Sequence, residues 1–202
     1  MHRRNLLLGG LAMGLCGTSL AQPRPTAVID VVKIMSFSCS VCLASEGQDP
    51  AIAAAARATG GKFVSAPIPD APQDPAPRER TYFAARDMDA RFGETVKQSL
   101  YRGSQEAQVS LRSFAEVYYW MERDLPAEYD RLTPLITNAQ GVPAGASLER
   151  AIRLTISSGV QLLPTYVLLA DGRFLTALDR DSAGAPSLSA LREAVITRIT
   201  SR

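Results

Sequence analysis

The stretch SFSCSVCLASE, residues 36–46, closes a Val- and Ile-rich run and opens an alanine-rich one, with Cys39 and Cys42 at the join. The run before it, AVIDVVKIMSF (27–37), is bounded by Pro25 and the cysteine turn and reads as a buried strand. Val41 to Ala58 reads as a helix with a kink at Pro50 and a stop at Gly60-Gly61. GKFVSAPIP (61–69) alternates as a second strand. Strand, CxxC, helix, strand is the sequence form of a parallel crossover pair, so the chain must build an α/β fold around the cysteines.

PIPDAPQDPAPRER carries prolines at 67, 69, 72, 75 and 77 and reads as a linker. From Glu79 to about Ser158 the pattern is helical: Phe83, Met88, Phe92, Val96 and Leu100 recur close to helical period. Phe114, Tyr118 and Met121 do the same and read as core, with Tyr118-Tyr119-Trp120 as the rival docking patch. LLPTYVLLADGRFLTALD then places two β-rich runs around Asp171-Gly172, a hairpin signal. A final helix follows, with Ser187 as its cap and Leu188, Leu191, Val195, Ile196 and Ile199 on one face. At 202 residues the chain suits one cored domain carrying an insertion. We expect an α/β domain formed by residues 22–78 and 156–202, interrupted by a helical insertion at 79–155.

Residues 1–21 read as a cleaved signal peptide: a basic head, MHRRN, a short apolar stretch, and Ser19-Leu20-Ala21 before Gln22. The apolar stretch is shorter than the ~20 residues of a spanning helix. Arg3-Arg4 resembles a twin-arginine signal weakly, and Leu15 before Cys16 argues against lipidation. Removing this segment leaves equal numbers of basic and acidic residues, no histidine and two cysteines. Only Lys33, Lys62 and Lys97 supply lysine, with no basic cluster, so no nucleic-acid partner is expected. Without histidine there is no Ser-His or Cys-His catalytic pair, and a zinc site lacks two ligands.

Export places Cys39 and Cys42 where disulfides persist, as a redox pair or as a staple. A staple closing so short a loop stabilises by only about 2 kcal/mol, against about 3 for a 15-residue loop. A CxxC at a helix start suits exchange better, because free N–H groups and the helix dipole favour a thiolate on the first sulfur. Cys39 would attack and Cys42 resolve, with a structural disulfide or a metal half-site as the alternatives.

VVKIMSFSCSVC resembles the strand and active-site turn of DsbA-like thiol:disulfide oxidoreductases, and GVQLLPTYVLLADGRFL (159–175) resembles their later segment. The resemblance implies a thioredoxin-like sheet with an inserted helical subdomain. It implies Cys39 as nucleophile, Cys42 as resolving cysteine, and Pro164 as a cis-proline facing them. Leu163 and Thr165 beside that proline, with Phe37, would bind an extended substrate by strand addition. It also implies a periplasmic location and cysteine-containing exported proteins as substrates. A membrane redox partner would reset the pair, with no cofactor and a monomer as the simpler state. Two departures stand out. Ser40-Val41 lacks the histidine of strongly oxidising members, so the dipole alone, worth about 0.5 to 2 kcal/mol, lowers Cys39 modestly and implies a milder oxidant or a reductant. Lys33 occupies the strand position of a buried acid; it either tunes the thiols or snorkels to the surface. Glu46 and Asp49, one and two turns after the pair, read as solvated surface acids, with hydrogen bonding near the pair as the alternative. The rival function is a non-catalytic chaperone or secretion component with a permanent disulfide; a dedicated reductase shares the chemistry.

Overall fold

A strand apolar on both faces has to be central, and β1 (Ile29–Met35) is. The computed structural model describes residues 27–201; the expected signal peptide lies outside the described residues. The sheet runs β2-β1-β3-β4. β1 is parallel to β2 (Phe63–Pro67) and antiparallel to β3 (Thr165–Ala170), and β4 (Arg173–Leu178) pairs antiparallel with β3 at the edge. Ile29 and Val31 face one core layer with Ile52, Leu168, Leu191 and Val195. Val32 and Ile34 face the other, with Phe83, Phe92, Leu100 and Val167.

The expected single helix after the cysteines is broken in two. α1 (Ser40–Ser45) gives way to a 3₁₀ turn at Glu46–Gln48, and α2 (Asp49–Ala58) begins again with Pro50 in its first turn. There a missing N–H costs no helical hydrogen bond, so the proline starts a helix where the sequence suggested a kink. The stop is as read: Gly60 takes a positive φ of 84°, and a Cβ on Gly61 would lie 2.0 Å from the Ile29 carbonyl oxygen. At the other hairpin end, Asp171 and Gly172 both take positive φ, 49° and 76°, the turn whose twist matches paired strands.

Between β2 and β3 the chain is helical: α3 (Pro77–Met88), α4 (Ala90–Tyr101), a π-helical turn at Arg102–Glu106, α5 (Phe114–Asp124), α6 (Tyr129–Gln140) and α7 (Val142–Ser157). α3 packs against α4, α6 and α7, forming the centre of this block. Trp120 and Met121 of α5 are buried, Phe114 and Tyr118 half-buried, and Tyr119 exposed. α8 (Leu188–Thr200) covers the opposite face against α2, and Ser187 Oγ accepts from the Ala190 amide at 3.1 Å. No described helix is long and apolar enough to cross a membrane.

Candidate functional site

β1 delivers the cysteine turn at its own C-terminal end, and α1 carries the chain away from it. Cys39 is the N-cap of α1: its backbone is extended, and its sulfur accepts the Cys42 amide N–H at 3.1 Å. Its carbonyl accepts the amides of Cys42 and Leu43 at 3.0 and 3.2 Å. Cys39 is half-buried and Cys42 fully buried, and the two form a disulfide with Cα atoms 5.2 Å apart. Ser40 and Val41 between them face solvent. Of the pair, only Cys39 offers its sulfur to an incoming group. Among the described residues no group of three His, Cys, Asp or Glu side chains is placed to hold a metal ion.

The Leu163–Pro164 peptide bond is cis and leads directly into β3. Leu163 and Cys39 line one cavity of about 480 Å³, with Ser36, Ser38, Ile68 and Asp70. A larger cavity of about 850 Å³ adjoins it across Ser38 and Asp70. Asp70 accepts hydrogen bonds from the Ser36 and Ser38 hydroxyls and from Arg78 at 3.0 Å. Burial opposes its ionisation, yet these donors hold its carboxyl below the usual carboxylate range.

Two residues expected to touch substrate have buried side chains. Phe37 is fully buried, its ring edge-on to Tyr101 at 5.3 Å, because the chain turns inward as β1 ends. Thr165 is fully buried, its hydroxyl donating to the Leu162 carbonyl.

Lys33 does not reach the surface. It is fully buried, and its Nζ lies 2.7 Å from Glu46 Oε1, 2.7 Å from Asp49 Oδ2 and 3.5 Å from the Cys42 carbonyl. Glu46 and Asp49 are therefore not solvated acids: the break between α1 and α2 turns both under the cysteine helix. Lys97 of α4 adds a second cation, 2.7 Å from Glu46 Oε2, and reaches Glu94 at 2.8 Å. The Tyr166 hydroxyl, on the strand residue opposite Lys33, donates to Asp49 Oδ1 at 3.0 Å. Burial pushes Asp49 up to about 6 against the pull of Lys33. Glu46 feels the same burial, but Lys33 and Lys97 together draw it below its ordinary value. Burial and the neighbouring carboxylates raise Tyr166 and Tyr101.

Sequence reasoning passed over Lys97, Asp70 and Gln105. Gln105 donates to the carbonyls of Phe37 and Cys39 at 2.8 and 3.1 Å. The available signal was spacing: Lys97, Tyr101 and Gln105 stand four apart.

No protein-family model matches the chain, and no curated protein matches it. Solved structures do. The oxidoreductase DsbA of Xylella fastidiosa superposes with a TM-score of 0.63 at 16% identity, covering 89% of this chain and 90% of that one. This chain has the DsbA fold. SrgA of Salmonella enterica serovar Typhimurium matches at TM-score 0.57 and 21% identity, over 84% of this chain and 89% of its own. Proteus mirabilis DsbA, solved with a non-covalently bound peptide PWATCDS, matches at 0.60 and 16%, over 85% and 87%. In the DsbA fold the sheet is thioredoxin-like and helices are inserted into it, as between β2 and β3 here.

Proposed function

We propose that this chain is a periplasmic thiol:disulfide oxidoreductase acting on cysteine-containing exported proteins through Cys39 and Cys42. The observation that carries the reading is the asymmetry of the pair: Cys39 half-exposed beside a cavity, its sulfur accepting the Cys42 amide at the helix start, and Cys42 sealed in the core. A staple needs no such asymmetry. In the oxidising direction a substrate thiolate attacks the Cys39 sulfur, the Cys39–Cys42 bond breaks, and Cys42 leaves with the electron pair and takes a proton. A second substrate thiolate then attacks the substrate sulfur of the mixed disulfide, and Cys39 leaves as a thiolate. The protein gains two electrons, the substrate loses two, and the reverse steps reduce a substrate disulfide.

The Cys42 amide stabilises the departing Cys39 thiolate, in place of the histidine that Ser40-Val41 lacks. Leu163 borders the cavity that takes the substrate segment, and the cis bond to Pro164 leads from it into β3, beside which the substrate backbone pairs. That Proteus mirabilis DsbA is solved with a non-covalently bound cysteine-containing peptide supports a peptide as the ligand. Lys33 modulates the pair from below through the Cys42 carbonyl. A membrane protein resets the pair after each turnover, and the chain acts as a monomer after loss of residues 1–21.

The test is equilibration of residues 22–202 in glutathione buffers of graded ratio, with alkylated cysteines counted by mass, alongside an insulin reduction assay. A single two-thiol transition with turnover of insulin supports the reading. A disulfide that survives the most reducing buffer in the folded protein, without insulin reduction, refutes it in favour of a staple.

A further inference from the structure

Lys97, Tyr101 and Gln105 all reach the cysteine turn or the ion cluster beneath it. Lys97 pairs with Glu46. Tyr101 packs its ring on Phe37 and sets its hydroxyl 3.5 Å from Glu46 and from the Met35 sulfur. Gln105 places one NH₂ group between two carbonyls, Phe37 and Cys39, which flank Ser38. Each hydrogen of that group has its own acceptor.

A continuous α-helix would not aim all three at one target, because residues eight apart diverge by about 80° at 3.6 residues per turn. The change to π winding at Arg102–Glu106, closed by the Ala107 amide on the Arg102 carbonyl at 2.9 Å, advances more slowly and brings Gln105 back into line. The segment is built for that winding. Trp120 donates its indole N–H to the Ser99 carbonyl at 2.9 Å, where the winding changes. Gly103 makes room for that ring: a Cβ there would lie 2.9 Å from the indole nitrogen and 3.0 Å from Leu111. π turns are rare and concentrate at functional sites.

We propose that Gln105 is a positioning residue for the redox turn, holding the Phe37 and Cys39 carbonyls so that the Cys39 sulfur stays over the Cys42 amide. The inference rests on the exchange reading above and extends it to the helical insertion. The Cys39 carbonyl then receives three donors, from Cys42, Leu43 and Gln105, which offsets its negative end beside a thiolate. Gln105 therefore favours the reduced form. The other charged groups around the turn and beneath it are Asp70 with Arg78, Glu46 with Lys97, and Lys33 with Asp49; all are left in place by the test.

Gln105→Met keeps the length of the side chain and loses both donors; Gln105→Glu replaces them with acceptors that repel the carbonyls. The reduced proteins are titrated by thiolate absorbance at 240 nm and equilibrated with glutathione. The Met variant is expected to hold less thiolate at a given pH, and its equilibrium with glutathione to move toward the disulfide by about threefold to tenfold, with a larger shift for Glu. A merely structural contact would lower the melting temperature and leave the titration midpoint in place. Unchanged titration and equilibrium in folded variants, beside a wild type that exchanges, overturn the proposal and leave the exchange reading standing. A wild type without a two-thiol transition overturns both. Should the variants not fold, the side-chain amide protons of Gln105 in the wild type read the same contact by NMR. Different shifts in the oxidised and reduced states support the proposal; identical shifts overturn it.

Discussion

Replacing Lys33 by methionine should destabilise the protein more than almost any other single change. The side chain is fully buried and, among the described residues, is the only cation paired with Asp49, while Glu46 keeps Lys97. The variant leaves a buried carboxylate without its partner, which costs about 3 to 5 kcal/mol. With an m-value of about 2 kcal/mol/M, the urea midpoint falls by about 1.5 to 2.5 M at pH 7, read by Trp120 fluorescence or circular dichroism. The loss depends on pH in a definite sense. A carboxyl whose folded pKa lies above its unfolded value binds more protons when folded, so its contribution is kept in acid and lost as pH rises through the folded pKa. Asp49 already stands at about 6 with Lys33 present, and without the lysine it rises further. The deficit of Lys33→Met should therefore grow as pH rises through 6. The double variant Lys33→Met/Asp49→Leu removes the stranded charge and should recover more than about 1 kcal/mol of it. A single variant within about 1 kcal/mol of the intact protein at pH 7, or a double variant no better than the single, would refute the reasoning.

Two further outcomes follow from the same geometry. Cys42→Ser leaves the exposed nucleophile without its resolving partner, so incubation with a disulfide peptide should accumulate a mixed disulfide at Cys39, seen as an added mass; Cys39→Ser should form none. Glu79 is fully buried at the start of α3 with no hydrogen bond to either carboxyl oxygen, Arg78 Nε being 3.6 Å away, and burial pushes it up from 4.5 to about 7. Stability should fall as pH rises from about 4.5 to about 7, by roughly 3 kcal/mol, and Glu79→Gln should flatten that slope in urea titrations run across the range.

The fold class was legible because its signals are local. β1 is a run of Val and Ile closed by a turn, the β3–β4 hairpin turns on Asp171-Gly172, and α8 starts at Ser187, each decided by residues adjacent in sequence. The fate of Lys33 was not legible because it depends on where Glu46 and Asp49 return in space, and that depends on a helix break. A sequence containing Pro50 announces a change of direction without saying whether the proline bends one helix or begins another. The burial of Phe37 was not legible for a related reason. It follows an apolar strand and precedes the cysteine, which suits either a groove wall or a core plug, and the aromatic partners that decide it, Tyr82 and Tyr101, come from the inserted helices. Gln105 carries only its four-residue spacing from Tyr101, which does not fix its aim, since that is set by a π turn.

The insertion therefore completes the buried charge of the sheet domain, and this gives a sharper test than any single substitution. Lys33 comes from β1 and Lys97 from α4, yet both bind Glu46, one at each carboxyl oxygen. Removing either leaves Glu46 one cation, enough to keep it ionised; removing both leaves it with none, and burial then drives it toward the protonated form. The two losses should not add. The second lysine removed should cost more than the first, by a coupling of about 1 to 3 kcal/mol in a double-mutant cycle at pH 7. The excess has a ceiling, because Glu46 can take up a proton instead of remaining a bare buried charge. Lowering the pH makes that escape easier, so the coupling should shrink between pH 7 and 5, in addition to the pH dependence that the single Lys33 loss shows through Asp49. Additive losses at both pH values would mean that the two lysines do not share one carboxylate, and that the helical block and the redox turn are electrostatically independent.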